Sequence, residues 1–205
     1  ALVERVFALG PQPDFPHGHV LRLRRPLVQT ADAEGMSALD LEQRLASIKS
    51  RLLAVRAKRE VPFRDEKVLT AWNGLTIRAL ARAGRLLDRR EYVDAAAKAA
   101  EFVLTNCRDD RGRLLRSYAR GEARAAGCLD DYAFLVEGLL GLYAATEEKK
   151  WLNAARRLQE QQTELFRDAR LGGYFFTAID HEKLLARPKT WADTVLPSGN
   201  SVSVR

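Results

Sequence analysis

Three short stretches of this sequence gather the residue types that acid–base and sugar-binding sites use. "RDEKVLTAWNGL" holds Asp65, Lys67, Trp72 and Asn73; "LDDYAF" holds Asp130, Asp131 and Tyr132; "ADTVLPSGNSV" holds Asp193, Ser198 and Asn200. Two carboxylates facing one glycosidic bond can protonate the leaving oxygen and activate a water. Asp65, Asp130 and Asp131 are therefore the candidate catalytic residues. Lys67 can bind an acidic substrate group, and Trp72 and Tyr132 can stack on a sugar ring. Asn73, Asp193, Ser198 and Asn200 can make directional hydrogen bonds to hydroxyls.

Each of these residues also has a plainer reading. One of Asp130 and Asp131 can cap a helix while the other complements its dipole. Asp65 and Lys67 can form a local ion pair, Trp72 and Tyr132 can be core, and Asn73, Ser198 and Asn200 can be ordinary helix-start polars. Gly74 and Gly199 stand beside these clusters, where a missing side chain permits close backbone approach. Histidine narrows the chemistry: His17, His19 and His181 all lie outside the three clusters, which favours carboxylates over histidine-driven proton transfer. Cys107 and Cys128 form no CxxC pair and have no histidine near in sequence. They read as reduced thiols, with no metal site expected, and no motif calls for a cofactor.

The elements that must position these clusters are helical. Residues 1–36 are irregular, broken by four prolines and by Gly10, Gly18 and Gly35, with one strand-like run, "HVLRLRRPL". From Ser37, the spacing of Leu39, Leu41, Leu45, Ile48, Leu52 and Val55 predicts a helix over 38–59, opened by a Ser37–Asp40 capping box and closed before Pro62. Beyond it the sequence repeats. "LARAGRLLDRREYVDAAAKAAEFVLTNCRDD" lies over "LLGLYAATEEKKWLNAARRLQEQQTELFRDA", so that Tyr92 falls on Trp151 and Asp109 on Asp168 at an offset of about 59 residues. Each copy is a helix, a charged turn and a second helix. A glycine-containing stretch then reads as a small hairpin or extended loop, "GRLLRSYARGEARAAG" in one copy and "GGYFFTAIDHEKLLARPK" in the other. Helical hairpins must stack to bury both apolar faces. The first helices, at about 67–87 and 130–146, are expected to be parallel inner neighbours, with outer partners at about 90–106 and 148–167. Their amino ends then share one rim, where free N–H groups favour developing negative charge, and all three clusters fall there.

The expected organisation is a lead segment, 1–36, followed over 37–205 by part of a solenoid or closed ring of helical hairpins, which the family resemblance given below makes part of a toroid. The chain stops as a third inner helix begins. It therefore reads as a fragment of a longer protein, exposing apolar surface along its last hairpin, and is expected either to form a homodimer through that edge or to be marginally stable.

Composition sets the outer limits. With 46% hydrophobic and 30% charged residues, the chain can bury a core and stay in solution. No apolar run approaches a membrane span, and the opening "ALVERVFALGPQPDF" lacks a signal-peptide pattern, so the expected compartment is the cytoplasm. The net charge of +7 raises nucleic acid as a partner. The basic residues, however, are spread along the helices among acids and match no nucleic-acid motif, so they read as a solvated surface.

The ordered set "RDEKVLTAWNGL", "LDDYAFLVEGLLGLY", "GGYFFT", "LLARPK" and "PSGNSV" resembles the YyaL-like, spermatogenesis-associated, thioredoxin-domain-containing family. The resemblance implies an all-α fold: helical hairpins of an incomplete (α/α)6 toroid with small β-hairpin loops, as in six-hairpin glycosidases and N-acylglucosamine 2-epimerases. It also implies a thioredoxin-like domain preceding the toroid in the full-length chain. The expected function is carbohydrate processing or sugar binding, hydrolase- or epimerase-like. The alternative is a non-catalytic scaffold that binds a protein partner or its own thioredoxin-like domain. Fold analogy alone leaves open whether the protein is an enzyme.

Overall fold

The computed structural model describes residues 2–7, 9–16, 18–182 and 185–204; His17 and the first leucine of "LLARPK" lie outside them. The chain separates into two compact units, Ala1–Arg64 and Asp65–Arg205.

The first unit holds α1 (Leu2–Val6), α2 (Leu27–Ala33) and α3 (Ala38–Arg56). Ser37 caps α3 as its spacing predicts: its Oγ accepts from the Asp40 N–H at 3.1 Å and donates to the Asp40 carboxylate at 2.7 Å. The buried face of α3 supplies Leu41 and Leu45, which pack with Val6 and Ala31, so this helix joins the residues before it. The onset of helical spacing at 37 and the boundary between compact units thus fall at different places. "HVLRLRRPL" forms no strand. Leu23 makes one isolated bridge to Phe7, and Pro26, without an N–H, leads directly into α2.

The second unit opens with β1 (Val68–Leu69) and then α4 (Thr70–Leu86), α5 (Arg90–Asn106), β2 (Leu115–Ala119), β3 (Glu122–Ala126), α6 (Leu129–Thr146), α7 (Lys149–Phe166) and the short α8 (Gly199–Ser203). The repeat shows in the turns. Asp88 and Glu147, at corresponding positions, both take the left-handed conformation that closes a helix, with φ of 52° and 59°. Corresponding Asp109 and Asp168 each accept backbone N–H bonds from the residues that follow, folding the chain out of the outer helix.

Helices α4 and α6 are in close parallel contact. A Cβ on Gly74 would lie 2.4 Å from the Phe134 carbonyl carbon, and one on Gly138 would lie 2.7 Å from the Gly74 carbonyl oxygen. Further along, Gly141 faces Arg78 and Ala81. Contacts that advance together along both helices fix the parallel direction. α5 packs on α4, and α7 on α6. α6 is buried nearly all round, and with α7 it supplies Tyr132, Phe134, Trp151 and Phe166 to the core. Each such side chain contributes about 1.5–3 kcal/mol on burial. The fold is all-α: two helical hairpins and the start of a third inner helix, an arc of an (α/α)6 toroid.

The first inter-repeat stretch is a β-hairpin. Arg120 and Gly121 both have positive φ, which suits a tight two-residue turn. β1 adds to its edge through Val68–Tyr118 and Leu69–Ser117 pairing, placing the start of α4 beside the hairpin. The second stretch contains no strand among the described residues; it is an extended loop tied by Phe176 N–H to the Pro188 carbonyl at 2.8 Å.

Candidate functional site

The amino ends of α4, α6 and α8 are stitched together by carboxylates from α6. Asp131, 2% exposed, accepts from the Ala71 N–H in the first turn of α4 at 3.0 Å and from the Cys128 N–H at 2.8 Å. One side chain thus satisfies orphan donors of two helices. Its neighbour Asp130 reaches the other way and accepts from the Gly199 N–H that opens α8. Gly199 leaves no room for a side chain there: a Cβ would sit 2.5 Å from Asp130 Oδ1 and 2.8 Å from Leu129. Burial pushes Asp131 up to about 6, although the two backbone donors pull it back. Burial also raises Asp130, against the pull of the Gly199 N–H and Arg116.

Most of the other sequence candidates face backbone. Tyr132 is 1% exposed; its hydroxyl accepts from the Leu114 N–H at 3.0 Å, and its ring packs on Phe166. Asn200 is buried. Its Oδ1 accepts from the Tyr174 N–H at 2.8 Å, and its Nδ2 donates to the Tyr174 and Thr190 carbonyls. The Asn73 amide donates to the Leu69 carbonyl at 2.9 Å. Ser198 caps α8 through the Ser201 N–H, while Asp193 accepts from the Ser198 N–H at 2.9 Å and the Ser201 hydroxyl at 2.7 Å. Asp65 and Lys67 pair with each other at 3.1 Å on the surface, and the Lys67 N–H holds Asp65 below the usual carboxylate range.

Two candidates remain turned to open space together. Trp72, 59% exposed, and half-buried Asp130 line one cleft of about 420 Å³, walled by residues 190, 192 and 194–198. Ser198 lies at its edge. An exposed indole beside a carboxylate of raised affinity for protons can hold a ring face and exchange a proton with an oxygen on it. The sequence reading missed Arg116, whose guanidinium lies 3.2 Å from Cys128 Sγ and pulls on both aspartates. It also missed Arg187 and Lys189 in "LLARPK", although that motif was in view. Both cysteines are free and buried, and burial pushes their thiols up. His181 lines a separate cavity of about 150 Å³ with Asp109, Arg113, Tyr132 and Asp180. Among the described residues no helix is long and apolar enough to cross a membrane.

No family model matches the chain. Human spermatogenesis-associated protein 20 is 36% identical over 203 residues, covering 94% of this chain and 26% of the human protein. An uncharacterised protein of Caenorhabditis elegans is 31% identical over 201 residues, covering 94% of this chain and 27% of its own length. The chain spans about a quarter of the length of these relatives. Among solved structures, a sugar epimerase from a ruminal bacterium is similar with a TM-score of 0.52 at 17% identity, over 70% of this chain and 37% of that one. Cellobiose 2-epimerase from Spirochaeta thermophila gives 0.51 at 21% identity, over 62% and 33%. A GH76 α-mannanase from Bacteroides thetaiotaomicron gives 0.51 at 17%, over 58% and 34%. At these identities the likeness concerns the fold alone. Along nearly its whole length the chain is similar to about a quarter of spermatogenesis-associated protein 20, and it is folded as an arc of the (α/α)6 toroid.

Proposed function

We propose that the rim cleft binds a sugar, and that the protein processes carbohydrate by carboxylate chemistry. Trp72 offers the apolar ring face, and Asp130 donates or accepts the proton at a sugar oxygen. Ser198 and the loop before it form the opposite wall. Asp131 acts as a positioning residue, holding the starts of α4 and α6 in register. The observation that carries this reading is the pairing of an exposed tryptophan with a half-buried carboxylate in one cleft, at the end of the inner helices where donors favour negative charge. The second carboxylate of a hydrolase would come from Asp65 or from a part of the protein beyond these residues.

A second reading has its own support. Asp131, Tyr132, Asn73, Asp193, Ser198 and Asn200 are all engaged in caps and backbone ties, as a scaffold for a protein partner or a thioredoxin-like domain would have them.

The two readings separate in a binding experiment. Cellobiose and mannobiose are titrated into the protein, with the heat of binding as the readout. Sugar binding lost in Trp72→Ala, with turnover lost in Asp130→Asn and both variants folded, supports the first reading. Absence of any sugar-dependent signal favours the scaffold.

A further inference from the structure

Beside the rim cleft, across the stretch 190–192, lies a second cavity of about 530 Å³ that the proposed chemistry leaves unused. Its charge is unbalanced. Arg170, Arg187 and Lys189 line it against one carboxylate, Asp168. Asp168 is already engaged: it is bonded to Lys189 and accepts from the Arg170 and Leu171 N–H groups at 2.8 and 3.1 Å. Two aromatic rings hold the cations in place. The Arg187 guanidinium lies 4.2 Å from the centre of the Phe175 ring, and the Lys189 ammonium lies 4.8 Å from Phe175 and 5.7 Å from Trp191. Arg187 is anchored by one Nη donating to the Thr177 carbonyl at 2.6 Å, while its buried Nε has no acceptor among the described residues. Arg170 is exposed. Trp191 is 60% exposed, and Gly173 makes room for its ring: a Cβ there would lie 2.2 Å from it.

We infer that this cavity is an anion subsite, so that the sugar bound by the protein carries a carboxylate or phosphate group read by Arg170 and Arg187 beside Trp191. The inference rests on the sugar-binding reading of the adjacent cleft. Guanidinium forks match the oxygens of carboxylate and phosphate, and an exposed indole next to them accepts the C–H face of the ring that bears the acid. Thr190 and Ala192 wall the first cleft while Trp191 between them lines the second. One stretch of backbone therefore serves both, and a ligand can place a neutral ring on Trp72 and its acidic end on the arginines.

The test compares cellobiose, cellobiose with a terminal uronate, and cellobiose 6-phosphate by calorimetric titration at low salt. One acidic form is expected to bind about tenfold or more tighter than cellobiose. That advantage should shrink with added salt and vanish in Arg170→Gln and Arg187→Gln, with cellobiose affinity unchanged. Arg170→Gln keeps the test valid if loss of the Thr177 anchor unfolds Arg187→Gln. Preference for the uronate or for the phosphate identifies which anion is read. Equal affinity for all three overturns the subsite and leaves the carbohydrate reading standing. An acidic preference that survives both substitutions also overturns it. Failure of all three sugars to bind removes the carbohydrate reading and the subsite together.

Discussion

Asp131 shows how much one side chain can carry at a helix start. Both of its oxygens accept backbone N–H groups, one from each of two helices. Asparagine has one acceptor and would turn an NH2 group toward one of those donors. Asp131→Asn is expected to lower stability by about 1–3 kcal/mol at neutral pH, read by urea unfolding. An unchanged midpoint would show that the tie contributes nothing. The pH dependence has a definite sign. The folded protein keeps the Asp131 proton up to about pH 6, whereas the ordinary value is 3.8. Between these values the native state binds more protons than the unfolded chain, so acidification through this window favours the fold. Relative to Asp131→Asn, the wild type should gain stability as pH falls from 7 toward 4, by up to about 3 kcal/mol. A difference that stays flat or runs the other way would contradict this.

Among the elements, the α4–α6 pair sets the geometry of the rim. Gly74 and Gly138 let the two backbones touch, and that approach brings Ala71 within reach of Asp131. Gly74→Ala forces a methyl group into the Phe134 backbone, which no rotamer change relieves. The expected loss is about 3 kcal/mol or more, together with exposure of the Ala71 N–H to exchange in hydrogen–deuterium measurements. A loss below about 1 kcal/mol would mean that α4 and α6 can part without disturbing the rim. The repeat offset made these helices and their turns legible in the sequence, because helical spacing and left-handed turn positions are local properties. The identical aspartates at 109 and 168 were also legible, but their work as turn formers was not, because it depends on where the following N–H groups point.

At the scale of the whole molecule, the two compact units differ in how much they bury. The first relies on a small cluster around Val6, Ala31, Leu41 and Leu45, and Leu39, Leu52, Leu53 and Val55 of α3 remain exposed. The second is built around Trp151, Tyr132, Phe134 and Phe166. Residues 57–67 between the two clusters are exposed throughout. Limited trypsin digestion is therefore expected to cut first at Lys58 or Arg59, leaving a protected carboxyl-terminal product that holds α4 to α8. First cuts within α4–α7 would show that the second unit is the weaker one.

The sequence by itself determined helices α3 to α7, the pairing of α4 with α5 and of α6 with α7 into hairpins, and the parallel arrangement of α4 and α6, but not α1 and α2, which lie in a segment that reads as irregular. These follow from periodicity, turn residues and an offset that recurs along the chain. Only the tertiary structure decided what the clustered residues touch. Asp130 and Asp131 are adjacent in sequence and identical in type, yet one faces a cleft and accepts from α8 while the other is buried between α4 and α6. Trp72 and Tyr132 were read alike as stacking platforms, and one is exposed while the other is core. The reason is physical: a one-residue step on a helix turns a side chain by about 100°. Whether it then meets solvent or a backbone N–H depends on how closely the neighbouring helices approach, a distance that glycines on two separate segments set together.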